Sequence, residues 1–180
     1  MNAARFAEIT GRYPSLRLAL VGDFCLDRYL EIDPTREEIS IETGLPVRNV
    51  VRVRSQPGGA GTILNNLVAL GVGQLNPIGF CGDDGEGYEL QAALRKLPGV
   101  RLNGFQQSPL RRTFTYCKPL LVAPGQPPVE LNRLDSKNWT PTPGALTEAL
   151  ATSLELGAHE WHGVIVLDQV DVPDTGVVTP

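Results

Sequence analysis

A glycine-rich segment constrains the fold of this 180-residue chain more than any other feature. It spans residues 57–62, reads Pro-Gly-Gly-Ala-Gly-Thr, and lies between a strand-like run and a helix-like run. Without β-carbons the backbone there can approach a ligand closely, and the helix that follows points its free N–H groups at that ligand. The segment therefore predicts a strand-to-helix junction that binds a small ligand.

Strand-like and helix-like runs alternate along most of the chain. Short apolar runs predict buried strands, and apolar residues at helical spacing predict helices: strands at 16–22, 75–81 and 163–168, and helices at 3–11, 60–70, 86–97 and 142–156. Thr142 is the expected N-cap of the last helix, with Pro143 in its first turn. This alternation implies right-handed crossovers and an α/β, three-layer Rossmann-like fold with a parallel sheet covered on both faces.

Two stretches, 28–57 and 111–135, interrupt the alternation with amphipathic strand patterns. One example is the run Val-Arg-Asn-Val-Val-Arg-Val-Arg at 47–54, in which apolar and charged residues alternate at its end. We predict that the two stretches form a small sheet that stands off the main one.

Polar and glycine residues follow several of the predicted strands. Asp23 and Asp27 follow the first strand, and residues 58–61 and 82–85 follow later ones. In open α/β sheets ligands bind at the carboxyl ends of the strands. We therefore predict that these residues share one rim and form a ligand site.

Composition and charge argue against some classes of binding partner. The net charge of −4 argues against broad nucleic-acid binding, which needs a basic surface. No apolar run approaches the roughly 18 residues that span a bilayer, and the N-terminus lacks the apolar core of a signal peptide. The three scattered cysteines, Cys25, Cys81 and Cys117, indicate reduced thiols in a cytoplasmic protein.

Four sequence segments occur in a fixed order along the chain. Together they identify a family more specifically than any one of them does alone. They are Val-Gly-Asp-Phe-Cys-Leu-Asp-Arg-Tyr at 21–29, the glycine-rich segment through 71, Gly-Phe-Cys-Gly-Asp-Asp-Gly-Glu-Gly at 79–87, and Arg-Thr-Phe-Thr at 112–115 with Leu-Asn-Arg-Leu-Asp at 131–135. They resemble the N-terminal half of a carbohydrate kinase of the ribokinase/PfkB family, over nearly the whole chain. The likeness is strongest to members that act on heptose 7-phosphate.

The resemblance implies a role for several residues. Asp27 would hydrogen-bond sugar hydroxyls, since a carboxylate can accept two such bonds. Gly58 and Gly59 would present backbone N–H groups to the sugar. Thr62 stands where relatives typically carry Asn, which leaves the identity of the sugar open.

The resemblance also implies a β-lid formed by residues 28–57 and 111–135, with Thr115 and Arg133 among its residues. Such a lid would close over the substrate and could form the contact of a homodimer. The chain as a whole, residues 1–180, would then be the N-terminal part of one ribokinase-like kinase domain, truncated after about half of the fold.

Two elements of the family are absent from the sequence. The Gly-Ala-Gly-Asp motif, which supplies the anion hole and the catalytic aspartate, does not occur, and 174–176 only superficially resembles its start. The Asn-x-x-Glu element associated with the metal and nucleotide is absent too. The resemblance thus implies an ATP- and Mg²⁺-dependent sugar or sugar-phosphate kinase whose base lies beyond Pro180. Phosphoryl transfer depends on those groups, so this chain alone is expected to be inactive.

Alternatives from other classes stay open. The chain could be a non-catalytic sugar-binding or dimerisation module of the same fold. A dinucleotide-dependent oxidoreductase is disfavoured, because Gly59-Ala60-Gly61 starts the G-x-G-x-x-G fingerprint but position 64 is leucine.

No metal site is predicted. Asp83 and Asp84 precede a helix and are expected to cap it. His159 and His162 lack a third ligand nearby in the sequence and are expected to be structural or exposed. The role of the loop 168–176 is open.

Overall fold

A computed structural model describes residues 2–180 and has the predicted α/β fold class. Its elements in chain order are α1 (Ala3–Thr10), β1 (Arg17–Gly22), β2 (Phe24–Ile32), β3 (Glu38–Ile39), β4 (Pro46–Val47), β5 (Val50–Gly59), α2 (Ala60–Ala69), β6 (Gln74–Gly82), α3 (Gly85–Arg95), β7 (Phe105–Ser108), β8 (Phe114–Leu121), β9 (Val129–Glu130), β10 (Leu134–Ser136), α4 (Gly144–Gly157) and β11 (Gly163–Leu167).

The main sheet has four parallel strands in the order β11-β1-β6-β7. The chain places β6 on one side of β1 and later places β11 on the other side, so the strand order reverses at β1. Such a reversal opens a crevice at the carboxyl ends of the strands, which is where α/β proteins bind ligands. The crevice here lies beyond Gly22, at the end of β1.

The second sheet has the order β10-β8-β2-β5, with β9 beside β8. Strand β2 is parallel to β8 and antiparallel to β5. Most of these strands come from the two stretches that interrupt the alternation, 28–57 and 111–135. A short hairpin of β3 and β4 extends from the first of these stretches.

Two apolar clusters lie on the two faces of the main sheet, as expected for a three-layer fold. On β1, Leu18 and Leu20 join the cluster under α2 and α3, whereas Ala19 and Val21 join the cluster under α4. The alternation places successive side chains on opposite faces. The chain therefore covers both faces of its central strand.

The local position of Asp27 differs from the prediction. Asp27 was expected to follow the first strand at the rim of the sheet, but it lies within β2, because Asp23 alone separates β1 from β2. The glycine-rich segment forms the predicted strand-to-helix junction. Residues 57–59 are the end of β5, and α2 begins directly after Gly59.

Two further predictions need correction near the end of the chain. Pro143, not Thr142, is the N-cap residue of α4, because Thr142 instead donates its hydroxyl to the carbonyl oxygen of Gly176 at 2.7 Å. Strand β11 is not buried as predicted. Helix α4 packs against β6 and β7 and leaves Val164 and Val166 of β11 48% and 61% exposed.

Among residues 2–180, every helix is too short or too polar to traverse a bilayer.

Candidate active site

Asp27 lies directly over the backbone of Gly58. The register of β2 and β5 pairs Cys25 with Gly58, and Asp27 lies two residues further along β2 on the same face of the sheet. A β-carbon on Gly58 would be 2.5 Å from Oδ2 of Asp27 and 2.7 Å from Sγ of Cys25. Only glycine leaves room for the carboxylate there, so the structure brings two of the predicted site residues into contact.

Lys118 of β8 completes this cluster. Its Nζ donates a hydrogen bond to Oδ1 of Asp27 at 2.7 Å, and the two side chains are only 19% and 15% exposed. Burial by itself lowers the pKa of Lys118, but the hydrogen bond and the negative charge of Asp27 outweigh it and raise that pKa above its usual range. The sequence analysis missed Lys118, although a single charge in the otherwise uncharged run 113–121 was a signal.

The thiol of Cys25 lies beneath the same carboxylate. Burial, reinforced by the charge of Asp27, raises the pKa of Cys25 to about 12, and burial raises that of Cys81 to about 11. Both thiols therefore stay protonated at neutral pH. All three cysteines are free, as expected.

Gly59 joins the second sheet to the end of β1. Its φ of 60° and ψ of −126° form a combination that essentially only glycine adopts. A β-carbon there would overlap the carbonyl oxygen of Asp23, which accepts a hydrogen bond from the N–H of Ala60 at 2.9 Å. The same β-carbon would lie 2.8 Å from Oε1 of Gln169. The start of α2 is thus fixed at the rim of the main sheet.

The buried carboxylate of Asp23 holds the loop that follows β11. Its oxygens accept hydrogen bonds from three backbone N–H groups of that loop, those of Gln169 at 2.8 Å, Val170 at 3.3 Å and Val177 at 2.8 Å. Charged acceptors make such hydrogen bonds stronger than neutral ones. The structure therefore gives the loop 168–176, whose role was left open, a defined place against the rim.

Arg111 fixes the same loop from the other side. Its Nη2 donates to the carbonyl oxygen of Thr175 at 2.8 Å, and its Nη1 donates to that of Thr140 at 3.0 Å. Arg111 is buried, and burial lowers its pKa. Sequence reasoning did not single out Arg111.

The other predicted site residues lie in different surroundings. Thr62 is exposed in the first turn of α2, which begins at the rim. Thr115 is buried and pairs in register with Leu26, so it lies on the opposite face of the second sheet from Asp27.

Arg133 lies on the same face of the second sheet as Asp27. Its guanidinium lies 4.8 Å from the ring centre of Tyr116, which pairs in register with Asp27. Both guanidinium hydrogen bonds of Arg133 go to Asp135, at 2.7 Å and 2.8 Å. Its charge is therefore already balanced by a neighbouring carboxylate.

Asp84 caps α3, as predicted. Its Oδ1 accepts hydrogen bonds from the N–H of Gly87 at 2.8 Å and from the hydroxyl of Thr113 at 2.6 Å. Burial acts to raise its pKa, but the hydrogen bonds from Thr113 and Gly87 prevail and hold the pKa of Asp84 below its usual range. Asp83 is exposed and accepts a hydrogen bond from Gln107 at 2.8 Å.

The lowered pKa of Asp84 predicts a specific pH dependence of stability. The folded state binds fewer protons than the unfolded chain, so Asp84 stabilises the fold above its unfolded pKa of about 3.9. That contribution is lost as the pH falls through the lower, folded pKa. We expect the urea midpoint to fall on acidification below about pH 5, and to fall less steeply in Asp84→Asn. Asp83→Asn, which leaves these hydrogen bonds intact, should keep the wild-type slope; equal slopes in all three proteins would contradict the assignment.

The histidines show no sign of a metal centre. Nδ1 of His162 accepts a hydrogen bond from the backbone N–H of Arg17 at 3.0 Å, so His162 has a structural role. Within residues 2–180, His, Cys, Asp and Glu side chains form no group of three or more that could hold a metal ion.

Comparisons with known proteins were made by sequence and by structure. No protein-family model matches the chain. The bifunctional protein HldE of Granulibacter bethesdensis is 32% identical over 168 residues, which cover 93% of this chain and 32% of that protein. HldE of Trichlorobacter lovleyi is 32% identical over 180 residues, which cover 100% of this chain and 34% of that protein. The chain thus spans about a third of the length of these curated relatives.

Solved structures share the fold at low sequence identity. A possible 1-phosphofructokinase from Thermotoga maritima superposes with a TM-score of 0.55 at 15% identity, covering 90% of this chain and 46% of that one. A microbiome-derived acarbose kinase superposes with a TM-score of 0.53 at 19% identity, covering 84% of this chain and 45% of that one. Both structures share the fold that the resemblance of the four sequence segments implies.

Proposed function

We propose that this chain belongs to the ribokinase/PfkB family of carbohydrate kinases and forms the sugar-binding part of an ATP-dependent sugar or sugar-phosphate kinase. The observation that carries the proposal is the contact between the Asp27 carboxylate and the backbone of Gly58. This contact lies where the second sheet meets the rim of the main sheet. A few polar groups fixed in this way orient a small polar ligand.

The chemistry of the cluster suits a sugar. The Asp27 carboxylate can accept hydrogen bonds from hydroxyl groups, and the start of α2 directs free N–H groups to the rim. Tyr29 and Tyr116 flank Asp27 on the same face of the sheet, and aromatic rings can pack against the apolar faces of a sugar. The stretches 28–57 and 111–135 would then act as the lid over the bound sugar.

In a complete kinase of this kind, Mg²⁺-ATP supplies the γ-phosphoryl group, and the metal balances the charge of the phosphates. The donor set of residues 2–180 does not fit that metal, because the adjacent carboxylates are engaged. Asp84 caps α3 and Asp83 accepts from Gln107. We therefore assign to this chain the binding and orientation of the sugar. The catalytic base is proposed to lie outside it, and the chain alone is proposed to be inactive.

Substitution of Asp27 tests the proposal. Isothermal titration calorimetry of the 180-residue chain against D-ribose, D-fructose, D-mannose and sedoheptulose 7-phosphate is expected to find binding of at least one. Asp27→Asn should weaken that binding by about 10-fold or more, because hydrogen bonds to a charged group are worth about 1.5–3 kcal/mol. The control is Asp33→Asn, since the polar contacts of Asp33 are with its sequence neighbours Thr35 and Arg36, and it should leave affinity unchanged. Equal affinity of Asp27→Asn and wild type would remove Asp27 from the site.

A second candidate function is a non-catalytic sugar-binding or dimerisation module of the same fold. The hairpin of β3 and β4 favours it, because Ile39, Ile41 and Leu45 are largely exposed there. Exposed apolar clusters mark contact surfaces, and a homodimer through the lid would cover this one. A phosphoryl-transfer assay with Mg²⁺-ATP on the natural full-length protein separates the two functions, since the module predicts sugar binding without turnover.

A further inference from the structure

The two oxygens of Asp27 have different surroundings. Oδ1 is occupied by Nζ of Lys118 at 2.7 Å, whereas Oδ2 faces the backbone of Gly58. The sequence analysis expected the Asp27 carboxylate to accept two hydrogen bonds from the sugar. Because Lys118 already binds Oδ1, the two oxygens are not equally available to a sugar. The free acceptor sites of Asp27 lie on the side of the glycine-rich strand.

Lys118 retains donor capacity beyond its bond to Asp27. An ammonium group has three N–H donors, one of which Asp27 uses, while the hydroxyl of Tyr29 lies at 3.5 Å, the limit of a hydrogen bond. At least one donor of Lys118 is therefore available beside the Asp27 carboxylate.

The position of Lys118 is restricted by its neighbours. Lys118 pairs in register with Tyr29, and its Nζ lies 4.9 Å from the centre of the Tyr29 ring. Arg54 lies 4.8 Å from the centre of that ring. With four-fifths of its side chain covered, Lys118 holds donor and acceptor side by side in a fixed arrangement.

The other cations on this face of the second sheet have acidic partners away from Asp27. Arg54 donates to Glu31 at 2.6 Å, and Lys137 donates to Asp171 at 2.7 Å. Arg133 is held by Asp135. Among the described residues, Lys118 is thus the cation that forms an ion pair with Asp27, the residue proposed to bind the sugar.

We propose that Asp27 and Lys118 together bind a vicinal diol of the sugar. Oδ2 of Asp27 accepts a hydrogen bond from one hydroxyl, and Nζ of Lys118 donates one to the oxygen of the neighbouring hydroxyl. Lys118 is then both a positioning residue for Asp27 and a determinant of specificity for sugars that carry adjacent hydroxyls. This inference rests on the proposed function.

Calorimetric titration of the 180-residue chain with the four sugars named above tests it. Lys118→Met is expected to weaken the binding of whichever sugar binds wild type by about 10-fold, and Lys118→Arg to recover part of the loss. The matched control is Lys137→Met, because Lys137 has the same 19% exposure and the same 2.7 Å bond to an aspartate. Lys137→Met should bind like wild type. Circular dichroism and urea midpoints establish that each variant is folded.

A double-mutant cycle separates positioning from direct contact. If Lys118 contacts the diol, Asp27→Asn with Lys118→Met binds several-fold more weakly than Asp27→Asn alone. If the double variant equals Asp27→Asn, Lys118 acts only through Asp27 and the shared diol site is overturned. Wild-type affinity in Lys118→Met overturns the inference and leaves the proposed function standing. Failure of wild type to bind any of the four sugars overturns the proposed function itself.

Discussion

Replacement of Asp23 by alanine is expected to lower the free energy of unfolding by about 3 kcal/mol or more. The substitution would leave the N–H groups of Gln169, Val170 and Val177 without their acceptor. An unsatisfied buried polar group costs about 1–3 kcal/mol, and three are affected at once. The loop 168–176 would keep its bond to Arg111 but lose its attachment to the end of β1, so the loss extends to the candidate site.

Urea denaturation monitored by circular dichroism measures this effect. Asp23→Asn, which keeps one of the two acceptor oxygens, should fall between wild type and Asp23→Ala. Asp168→Ala is the matched control, because Asp168 is an exposed aspartate at the end of β11, next to the same loop. A midpoint of Asp23→Ala indistinguishable from that of Asp168→Ala would show that the carboxylate does not hold the loop.

The elements of the main sheet were largely predictable from the sequence. Helix α2 was predicted at 60–70 and spans Ala60–Ala69, and β6 was predicted at 75–81 and spans Gln74–Gly82. Both elements are bounded by residues that typically end a helix or a strand. The apolar pattern of each is contained within its own short stretch of sequence. Local patterns of this kind survive folding because tertiary contacts reinforce them.

The composition of the candidate site was less predictable, since its contacts join distant parts of the chain. Lys118 meets Asp27 across 91 residues, and Gln169 meets Asp23 across 146 residues. Single-sequence periodicity contains no information about such pairs. The family resemblance identified Asp27 and Gly58, and the strand ends indicated Asp23, but Lys118 and Arg111 required the structure.

The same distinction explains the error over Asp27. The first strand was predicted to end at residue 22, and a glycine followed by an aspartate at 22–23 is a local turn signal. In the fold, β2 pairs with β5 on one side and with β8 on the other. Those long-range ladders extend the strand through Asp27, so a tertiary contact overrides the local turn signal.

Replacement of Gly58 by alanine is expected to lower both the stability of the fold and the sugar affinity of the candidate site. The new β-carbon would lie 2.5 Å from Oδ2 of Asp27 and 2.7 Å from Sγ of Cys25, so at least one of these buried groups must move. Overpacking of this kind typically costs about 1–3 kcal/mol of stability. Because the carboxylate itself is displaced, sugar affinity should fall by about 100-fold, equivalent to about 2.7 kcal/mol.

Gly85→Ala provides the matched control for this glycine substitution. Gly85 is the first residue of α3, and a β-carbon there would meet nothing within 4 Å. It should therefore leave stability unchanged or raise it slightly, since alanine restricts the unfolded chain.

Urea midpoints and calorimetric titrations of both variants distinguish two causes of lost binding. If Gly58→Ala unfolds like Gly85→Ala but no longer binds sugar, the displaced carboxylate is responsible. If it retains both stability and affinity, the Asp27 carboxylate does not lie over Gly58, and the site proposed for the sugar must be sought elsewhere on the rim.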